Sequence, residues 1–387
     1  MPETRRVQAS MKIGFIFNAQ SHQIFHSLPV ASVLARDYPE AEVTLLARSP
    51  AQQDYLQELA SFYEAPNLRF QIAAPPFPYG RLGPEVTAPK TLTLIWNLRA
   101  FSRFDALVVP ERTSLYLRKM GLRKTKFIHT THGAGDDERE WDTRIRDFDL
   151  VLLPGAKRRD RLLAKGLLRP GHYAIGGYSK FDLVRRMGLA RPPIFRNGRK
   201  TVLYNPHHNQ AHSSWFRIGR EVLEYFAHSD RFNLIFAPHI RMRDDGAIQE
   251  KELQPYRNRA HVLLDLGSPR SVDMSYSLAA DIYLGDWSSQ LYEFLLRPRP
   301  AIFLNPHGFD WRNREEFLWW TLGKVVADIS GLDQALNTLE HWRGEYEAAQ
   351  QAAFTYSFAQ FGQGAPRRAA EVIMTFLREG RVEDDCA

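Results

Sequence analysis

Short apolar runs alternate along the chain with longer segments of helical period. Seven runs lie in the first half, at 12–18, 42–47, 68–74, 105–110, 126–132, 150–155 and 172–177. Five more follow, at 201–206, 232–239, 261–267, 281–286 and 300–305. Continuous runs rich in β-branched and aromatic residues are typical of parallel strands buried on both faces, and the segments between them suit crossover helices. The pattern therefore predicts an α/β fold with two Rossmann-like parallel sheets.

The alternation is interrupted once, between the two series of runs. Residues 188–200 are rich in Pro, Gly and Arg and have little periodicity, which is typical of a linker. The sequence thus predicts an N-terminal Rossmann-like domain over 1–187 and a C-terminal one over 201–345. Residues 346–387 are predicted to be C-terminal helices and a tail that pack back. The two domains are expected to face each other across a cleft, which is the default ligand site of such folds.

The amino-acid composition limits the cellular compartments in which the protein is expected. Cys386 is the one cysteine, so disulfides and cysteine-ligated metals are excluded and a reducing compartment fits. The N-terminus has basic residues without the apolar run of a signal peptide, and no run approaches the roughly 18–20 apolar residues of a membrane span. We expect a cytoplasmic protein that is neither secreted nor inserted in a membrane.

The net charge of +7 is unevenly distributed along the chain. Between Lys157 and Lys200 there are 13 Lys or Arg against Asp160 and Asp182. Such a surplus favours an anionic partner, although a solvated face followed by a basic linker also accounts for it. Because no nucleic-acid-binding module is recognisable and few aromatic residues interleave the basic ones, nucleic acid is not an expected partner.

Several well-defined catalytic motifs are absent from the sequence. There is no GxxxxGK[ST] phosphate loop, and the first run ends in Asn18 rather than in a GxGxxG fingerprint. HExxH, GxSxG and CxxC are also missing. These absences count against a P-loop ATPase, a dehydrogenase, a serine hydrolase and a zinc hydrolase.

The strongest candidate site follows the run 281–286. Asp286, Ser288 and Ser289 stand where the N-cap and first turn of a helix are expected, and small hydroxyl residues at a helix start bind phosphate well. Capping alone explains one of these three residues, so the pattern favours a donor-phosphate site. Glu293, further along the predicted helix, can meet a ribose hydroxyl or can be a surface residue.

Two further candidate sites follow strands of the second series. His239 ends the run 232–239 and is followed by Arg241, a combination that suits a diphosphate. Asn205 and His207 follow the run 201–206 and are predicted to form a polar loop that contacts the donor. Neither site is predicted to hold a metal ion, because the histidines there have no carboxylate or Cys at close spacing.

In the first series, His132 and Gly133 follow the strand that begins at Lys126. A histidine in a backbone-permissive loop at the carboxyl end of a strand can act as a general base on an acceptor hydroxyl, since its unperturbed pKa is about 6.5. His129 is expected to be a core residue, and with His132 it lacks the third ligand of a metal site. A donor-phosphate site in the second domain together with a histidine base in the first is the arrangement expected for group transfer from an activated nucleotide.

At these residues the sequence resembles the CDP-glycerol glycerophosphotransferase family, the teichoic-acid polymerases and primases of GT-B fold. The resemblance covers about residues 126–306 and lies in the order and spacing of short motifs. These motifs are His132 with Gly133, Gly177 with Asp182, Leu203 to Pro206, Pro238 with His239, Asp286 with Ser288 and Ser289, and the strand PAIFL. The loop His207 to Asn209 departs from the family, which usually has a Thr and aromatic or Arg residues there.

The resemblance implies a mechanism and a set of partners. His132 would be the base, and His239, Ser288 and Ser289 would hold the donor pyrophosphate. The implied activity is metal-independent transfer of glycerol phosphate, or a similar polyol phosphate, from a CDP-activated donor to a cell-envelope glycan or lipid-linked acceptor. No cofactor is implied beyond the nucleotide donor, CDP-glycerol, which is a substrate. Family members commonly lie on the inner face of the cell membrane, and the basic stretch at 157–200 suits such peripheral contact.

Three other functions fit the same residues. One is a sugar-nucleotide-dependent glycosyltransferase of GT-B fold, which would form a glycosidic bond. Another is a nucleotide-sugar epimerase, which would act without an acceptor. The third is a non-catalytic protein that binds nucleotide and turns nothing over.

Overall fold

The computed structural model describes residues 10–18, 23–75, 89–131, 142–188, 194–312, 314–359 and 364–383. The chain divides into two compact units, and each contains one parallel sheet. Unit 1 comprises Met1–His132, Trp141–Ala190 and Ser357–Ala387. Unit 2 comprises Gly133–Glu140 and Arg191–Tyr356.

The sheet of unit 1 has seven parallel strands in the order β3-β2-β1-β4-β5-β6-β7. Their bounds are β1 (Met11–Phe17), β2 (Ala41–Ala47), β3 (Arg69–Ile72), β4 (Ala106–Val109), β5 (Lys126–Thr130), β6 (Leu150–Leu153) and β7 (Tyr173–Ile175). Every residue of β4 and β6 is buried, as expected for central strands whose two faces are both covered.

The helices of unit 1 connect these strands. They are α1 (Ile24–Asp37), α2 (Pro50–Ala60), α3 (Lys90–Trp96), α4 (Leu98–Phe101), α5 (Tyr116–Lys119), α6 (Ala156–Ala164), α7 (Lys180–Gly188) and, from the end of the chain, α16 (Gly364–Glu379). Short 3₁₀ helices lie at Ser61–Tyr63, Thr113–Leu115 and Thr143–Asp147. Helix α1 is buried over most of its length, because it packs against α16, α2 and α7 as well as against β1 and β2.

The return of the chain to unit 1 requires a glycine. A Cβ atom on Gly155 would lie 2.4 Å from the carbonyl oxygen of Ser357, which is closer than any side chain permits. Beside it, the N–H of Ala359 donates to the carbonyl of Pro154 at 2.8 Å. The loop after β6 therefore holds the segment that leads into α16.

The sheet of unit 2 has six parallel strands in the order β10-β9-β8-β11-β12-β13. Their bounds are β8 (Lys200–Asn205), β9 (Phe232–Phe236), β10 (Val262–Leu264), β11 (Ile282–Gly285), β12 (Ala301–Leu304) and β13 (Lys324–Val326). Aliphatic and aromatic side chains from β8, β9, β11 and β12 form a core with helices α8 (Trp215–Ala227) and α13 (Ile329–Asn337).

The helices of unit 2 are mostly short. They are α8 (Trp215–Ala227), α9 (Arg241–Asp244), α10 (Glu250–Leu253), α11 (Ser275–Ala279), α12 (Gln290–Phe294), α13 (Ile329–Asn337), α14 (Leu339–Trp342) and α15 (Glu347–Ser357). Short 3₁₀ helices lie at Gln254–Tyr256, Pro269–Ser271 and Glu315–Leu322. Helix α8 is the longest and the most strongly amphipathic, and its apolar face covers the sheet.

Arg299 fixes the end of α12 against the sheet. Its guanidinium donates to the carbonyls of Ala280, Ser277 and Phe294 and lies 3.8 Å from the centre of the Phe294 ring. Burial lowers the pKa of Arg299 to about 9. The Gln350 amide bonds both the N–H and the carbonyl of Arg299. These contacts fix the helix that follows the strongest candidate site of the sequence.

The predicted class, an α/β fold with two Rossmann-like parallel sheets, is confirmed. All twelve predicted strands are present, and β13 is an additional one that the pattern did not predict. The predicted linker at 188–200 includes the point after residue 190 where unit 1 gives way to unit 2. The segment 346–387 is divided, since residues up to Tyr356 belong to unit 2 and the rest to unit 1.

Candidate functional site

The strand order of unit 2 creates a crevice at the carboxyl ends of β8 and β11. From β8 the chain proceeds outward to β9 and β10 and then returns to β11 on the other side of β8. The loops after β8 and β11 therefore leave in opposite directions, and ligands of open α/β sheets bind at such points. Asn205 pairs with Gly285 in the last register of the two strands, so Asn205 and Asp286 lie at the crevice.

Asp286 organises the two loops from a buried position. Its side-chain Oδ1 accepts from the N–H of His207 at 2.8 Å and from that of Trp287 at 2.6 Å. Its Oδ2 accepts from the N–H and the hydroxyl of Ser214 at 2.6 and 2.7 Å. Burial raises the pKa of the Asp286 carboxyl, although these hydrogen bonds favour its ionised form. Because protein donors surround the carboxylate, its contribution to the site is to position the loop after β8.

Two further side chains extend this network into the core. The hydroxyl of Tyr204, which is fully buried in β8, lies 2.9 Å from the hydroxyl of Ser214. The indole N–H groups of Trp319 and Trp320 both donate to the carbonyl of Asp286. Both the backbone carbonyl and the side-chain carboxylate of Asp286, the first residue after β11, are therefore held by hydrogen bonds.

Asn205 joins the carboxyl ends of β8 and β9. Its side-chain amide donates to the carbonyl of Ala237 at 2.6 Å, and the N–H of His239 donates to the carbonyl of Pro206 at 3.0 Å. The side-chain oxygen of Asn205 is buried without a hydrogen-bond partner in the described part of the chain. A buried acceptor of this kind is usually satisfied by water or by a ligand.

The loops after β8 and β9 bring three imidazole rings together. We call His207, His208 and His239 the histidine cluster. The ring centre of His208 lies 4.2 Å from that of His207 and 4.4 Å from that of His239. Nη1 of the exposed Arg241 lies 3.5 Å from Nε2 of His208. The sequence placed His207 and His239 at separate strand ends, and the structure brings them into one cluster.

The hydrogen bonds of the histidine cluster define two of its tautomers. The N–H of Asn209 donates to Nδ1 of His207 and the N–H of Arg241 donates to Nδ1 of His239, both at 3.2 Å. In a neutral imidazole one nitrogen accepts and the other carries the proton, so Nε2 of both rings is a donor. A donor is suited to a phosphate oxygen.

The histidine cluster is also compact enough for a metal ion, since one nitrogen from each ring lies within 4.8 Å of the others. Coordination through Nε2 would move the proton of His207 and His239 to Nδ1. That proton would then face the backbone N–H of Asn209 or Arg241, which is a repulsive arrangement. The geometry favours binding of an anion over binding of a metal.

Ser288, Ser289 and Glu293 lie around the start of α12. The buried hydroxyl of Ser288 accepts from the N–H of Gln290 at 3.3 Å. Ser289 is exposed, and its side chain makes no capping hydrogen bond. Glu293 is buried. Of the two serines, Ser289 therefore has the more accessible hydroxyl.

The candidate base of the first series lies outside the described residues. His132 and Gly133 follow Thr131, the last described residue after β5. His129 is buried in β5, where its Nδ1 is 3.1 Å from the carbonyl of Val109 and its ring stacks on Phe148. The position of β5 beside β4 places the start of the His132 loop at the carboxyl edge of the unit 1 sheet.

The element from Gly177 to Asp182 has a structural role. Gly177 has a φ of +84°, which a glycine adopts readily, and it turns the chain from β7 into α7. The Asp182 carboxylate is buried and accepts from the hydroxyl of Tyr63 at 2.8 Å and from Arg185 and Arg186. Asp182 thus fixes α7 to the 3₁₀ helix at Ser61–Tyr63.

The basic stretch at 157–200 is not a continuous surface. Lys157, Arg158 and Lys180 are buried, and Arg185 and Arg186 pair with Asp182.

Each helix in the described part of the chain is too short or too polar to cross a membrane.

Sequence reasoning did not identify Ser214 and His307. Ser214 immediately precedes α8 and donates to Asp286, and the ring of His307 bonds the carbonyl of Ser213 at 3.0 Å. A signal for each was present. Two serines precede the α8 sequence, as is common at helix starts, and Asn305 to His307 repeats the Asn-Pro-His of Asn205 to His207.

Residues 185–376 match the family model of CDP-glycerol:poly(glycerophosphate) glycerophosphotransferase. The matched range includes the histidine cluster, Asp286 and both serines. A search of curated protein sequences found no match.

Solved structures with a similar fold include a teichoic acid polymerase and a putative epimerase. The wall teichoic acid polymerase TagF has a TM-score of 0.65 and 15% identity, covering 97% of this chain and 90% of that chain. A putative UDP-N-acetylglucosamine 2-epimerase from Listeria monocytogenes has a TM-score of 0.68 and 15% identity, covering 98% and 100%. MnaA of S. aureus, solved with UDP, has a TM-score of 0.63 and 12% identity, covering 97% and 100%. These likenesses confirm the GT-B-like fold.

Proposed function

We propose that this chain, whose residues 185–376 match the model of the CDP-glycerol:poly(glycerophosphate) glycerophosphotransferase family, transfers glycerol phosphate from CDP-glycerol to a cell-envelope glycan acceptor. The observation that carries the proposal is the histidine cluster beside Ser288 and Ser289 at the switch point of the unit 2 sheet. CDP-glycerol is the donor substrate, and no further cofactor is part of the proposal. A cytoplasmic location goes with it, because the donor is a nucleotide.

The proposed step is displacement at phosphorus. The oxygen of an acceptor hydroxyl attacks the phosphorus that carries glycerol, a phosphodiester bond forms, and the bond to the CMP oxygen breaks. The acceptor proton passes to a base, for which His132 is the candidate, and CMP leaves. Donors fixed before the reaction stabilise the charge that develops on the leaving phosphate. The Nε2–H groups of His207 and His239 are such donors, and Arg241 adds a positive charge.

Removal of one hydroxyl tests the donor site. We expect Ser289→Ala to weaken CDP-glycerol binding about 10- to 100-fold, which corresponds to the loss of one hydrogen bond to a charged group, about 1.5–3 kcal/mol. Folding should be unchanged, since the Ser289 side chain caps nothing. Isothermal calorimetry with CDP-glycerol and CMP measures the affinity. Ser102→Ala removes an exposed hydroxyl from unit 1 and is the matched control.

Two results of this titration would contradict the assignment. Equal affinity of Ser289→Ala and wild type would exclude Ser289 from the donor site. Binding of UDP- or GDP-sugars in place of CDP-glycerol would move the function to glycosyl transfer.

An epimerase is the second candidate, because the epimerase fold matches as much of the chain as the polymerase fold does. It is distinguished by incubating the protein with a UDP-sugar and no acceptor. Conversion of the UDP-sugar under these conditions would replace the transferase proposal. Transfer that requires both CDP-glycerol and an acceptor would support it.

We also propose peripheral contact with an anionic membrane. Leu92, Ile95 and Trp96 are spaced three and four residues apart on α3, so they share one face, and all three are exposed. The exposed Arg99 follows them. Basic and apolar side chains together bind anionic lipid surfaces. We expect Trp96→Ala to reduce sedimentation with anionic vesicles severalfold, and unchanged sedimentation would contradict this contact.

A further inference from the structure

Unit 2 contains a cavity of about 550 Å³ beside β13, the last strand of its sheet. Among the residues that line it are three aromatic ones, Trp311, Trp320 and Tyr346, and two basic ones, Arg312 and Lys324. No acidic residue of the described chain is part of the lining. Strand β12 separates β13 from β11, so the cavity is not the crevice at the switch point. A cavity of this volume is large enough for a small molecule.

The cavity extends around the open edge of β13. This strand has a neighbour on one side only, β12, in the part of the chain that the structure describes. On one face of the sheet Trp320 stacks on Phe303, which pairs with Val325. On the other face, Nζ of Lys324 lies 5.4 Å from the centre of the Trp342 ring. Side chains of successive strand residues point to opposite faces, so a cavity lined by Trp320, Val325 and Lys324 passes the edge of the strand.

The edge of β13 presents backbone donors and acceptors to the cavity. The carbonyl of Val326 accepts from the N–H of Asn305 at 2.8 Å, so the backbone groups of Val326 face β12. Those of Val325 point away from the sheet, because N–H and C=O groups alternate in direction along an extended strand. Gly323 is extended as well, with a φ of −171°, and its carbonyl faces the same side as the N–H of Val325. The edge thus provides an acceptor and a donor next to each other.

The walls of the cavity are held in place by the protein itself. The indole N–H of Trp320 donates to the carbonyl of Asp286 at 2.7 Å. The side-chain amide of Asn305 bonds the carbonyl and the N–H of Phe309 at 3.0 and 2.9 Å, which fixes the loop that carries Trp311. Because these walls are preformed, a ligand loses little affinity to ordering them.

The two basic side chains of the lining make no ion pair in the described chain. The guanidinium of Arg312 lies 4.9 Å from the centre of the Trp311 ring, and Lys324 contacts only an indole ring. The exposed Glu345 precedes Tyr346 and lies outside the lining. Positive charges without a carboxylate partner favour an anionic group such as phosphate. Since Arg312 lies at an aromatic wall, the cavity suits a ligand that combines a planar ring with a phosphate.

We propose that this cavity binds a nucleotide at a site separate from the crevice. Every nucleobase has a donor and an acceptor next to each other on its Watson–Crick edge, and these bond the Gly323 carbonyl and the Val325 N–H. The base stacks on Trp311, which is favourable for every base because each has a π-face, and the phosphate pairs with Arg312. The site does not depend on the transferase function proposed above.

Hydrogen–deuterium exchange on the full chain distinguishes this site from the crevice, because it reports on the segment that contains β13. The probes are AMP, CMP, GMP and UMP, each added alone. We expect at least one of them to slow exchange in this segment severalfold, since the N–H of Val325 gains an acceptor. Arg312→Gln should raise the nucleotide concentration needed for half of this protection about tenfold. Its melting temperature should match wild type, since Arg312 is exposed.

Two variants are the controls. Arg259→Gln removes an exposed arginine of unit 2 that makes no ion pair in the described chain, and it should give wild-type protection. Ser289→Ala, in the proposed donor site, should also leave the protection of β13 unchanged. Loss of this protection in Ser289→Ala would place the nucleotide in the crevice instead.

The other outcomes also overturn the inference. Absence of protection by all four nucleotides would show that the cavity binds none of them, and equal protection of wild type and Arg312→Gln would place the nucleotide elsewhere. Protection by ribose 5-phosphate as strong as by a nucleotide would show that the base is not recognised. Protection by an acidic peptide and by none of the nucleotides would make the edge a site of strand addition. Failure of the proposed transferase function, which is an absence of CDP-glycerol binding and transfer, would leave each of these results unaffected.

Discussion

Replacing Asp286 with alanine is expected to lower the free energy of unfolding by about 3–4 kcal/mol and to abolish donor binding. Three backbone N–H groups and the Ser214 hydroxyl would lose their buried acceptor, and each unsatisfied donor costs about 1–3 kcal/mol before relaxation. For a unit of this size the melting temperature should fall by roughly 10 °C. The loop that carries His207 and His208 would lose its anchor to β11, so CDP-glycerol affinity should fall as well. Thermal unfolding and calorimetry measure the two effects.

Asp281 provides the matched control at the opposite end of the same strand. Its carboxylate accepts a single hydrogen bond, from the N–H of Thr201 at 2.7 Å, and the residue is exposed. Asp281→Ala should lower the free energy of unfolding by about 1 kcal/mol or less and leave CDP-glycerol binding unchanged. If Asp286→Ala melted within 2 °C of Asp281→Ala, roughly one kcal/mol apart, Asp286 would not organise the loops.

His132→Ala and His239→Ala are expected to impair transfer in different ways. Loss of the proposed base should reduce kcat by about 10²–10⁴ while CDP-glycerol still binds. Loss of His239 would remove a proposed donor to the leaving phosphate and should reduce kcat/KM by about 10²–10³. Its effect should include weaker binding of CDP-glycerol, because the ground-state diphosphate meets the same Nε2–H. Steady-state transfer assays and calorimetry together separate the two patterns.

His228→Ala is the control for both variants, since His228 follows the last turn of α8 and its side chain is 61% exposed. It should leave kcat and KM unchanged. Transfer at the wild-type rate by His132→Ala would exclude His132 as the base. A loss of CDP-glycerol binding in His132→Ala, with binding intact in His239→Ala, would reverse the two assignments.

Local pattern was enough to predict the sheets and most of the candidate positions. Buried parallel strands need unbroken runs of β-branched and aromatic residues, and this requirement is met within each run by itself. The carboxyl end of each strand is also readable from its run. Asn205, His239 and Asp286 were therefore identified as strand-end residues without knowledge of their neighbours. The strand β13 was missed, although it is no shorter than β7 and β10, which were predicted.

The α/β class, the two series of strands and the residue types at their ends follow from the sequence alone, because period and composition are properties of consecutive residues. Which of these strand ends meet depends on the tertiary structure. In the unit 2 sheet β8 lies between β9 and β11. The loop after β8 therefore contacts His239, which follows β9, on one side and Asp286, which follows β11, on the other. The structure also shows that Asp286, which was predicted to contact the ligand, is the buried hydrogen-bond acceptor for two loops. The pairing of Asp182 with Tyr63 and the packing of α16 on α1 depend equally on residues far apart in the chain, so no local pattern contains them.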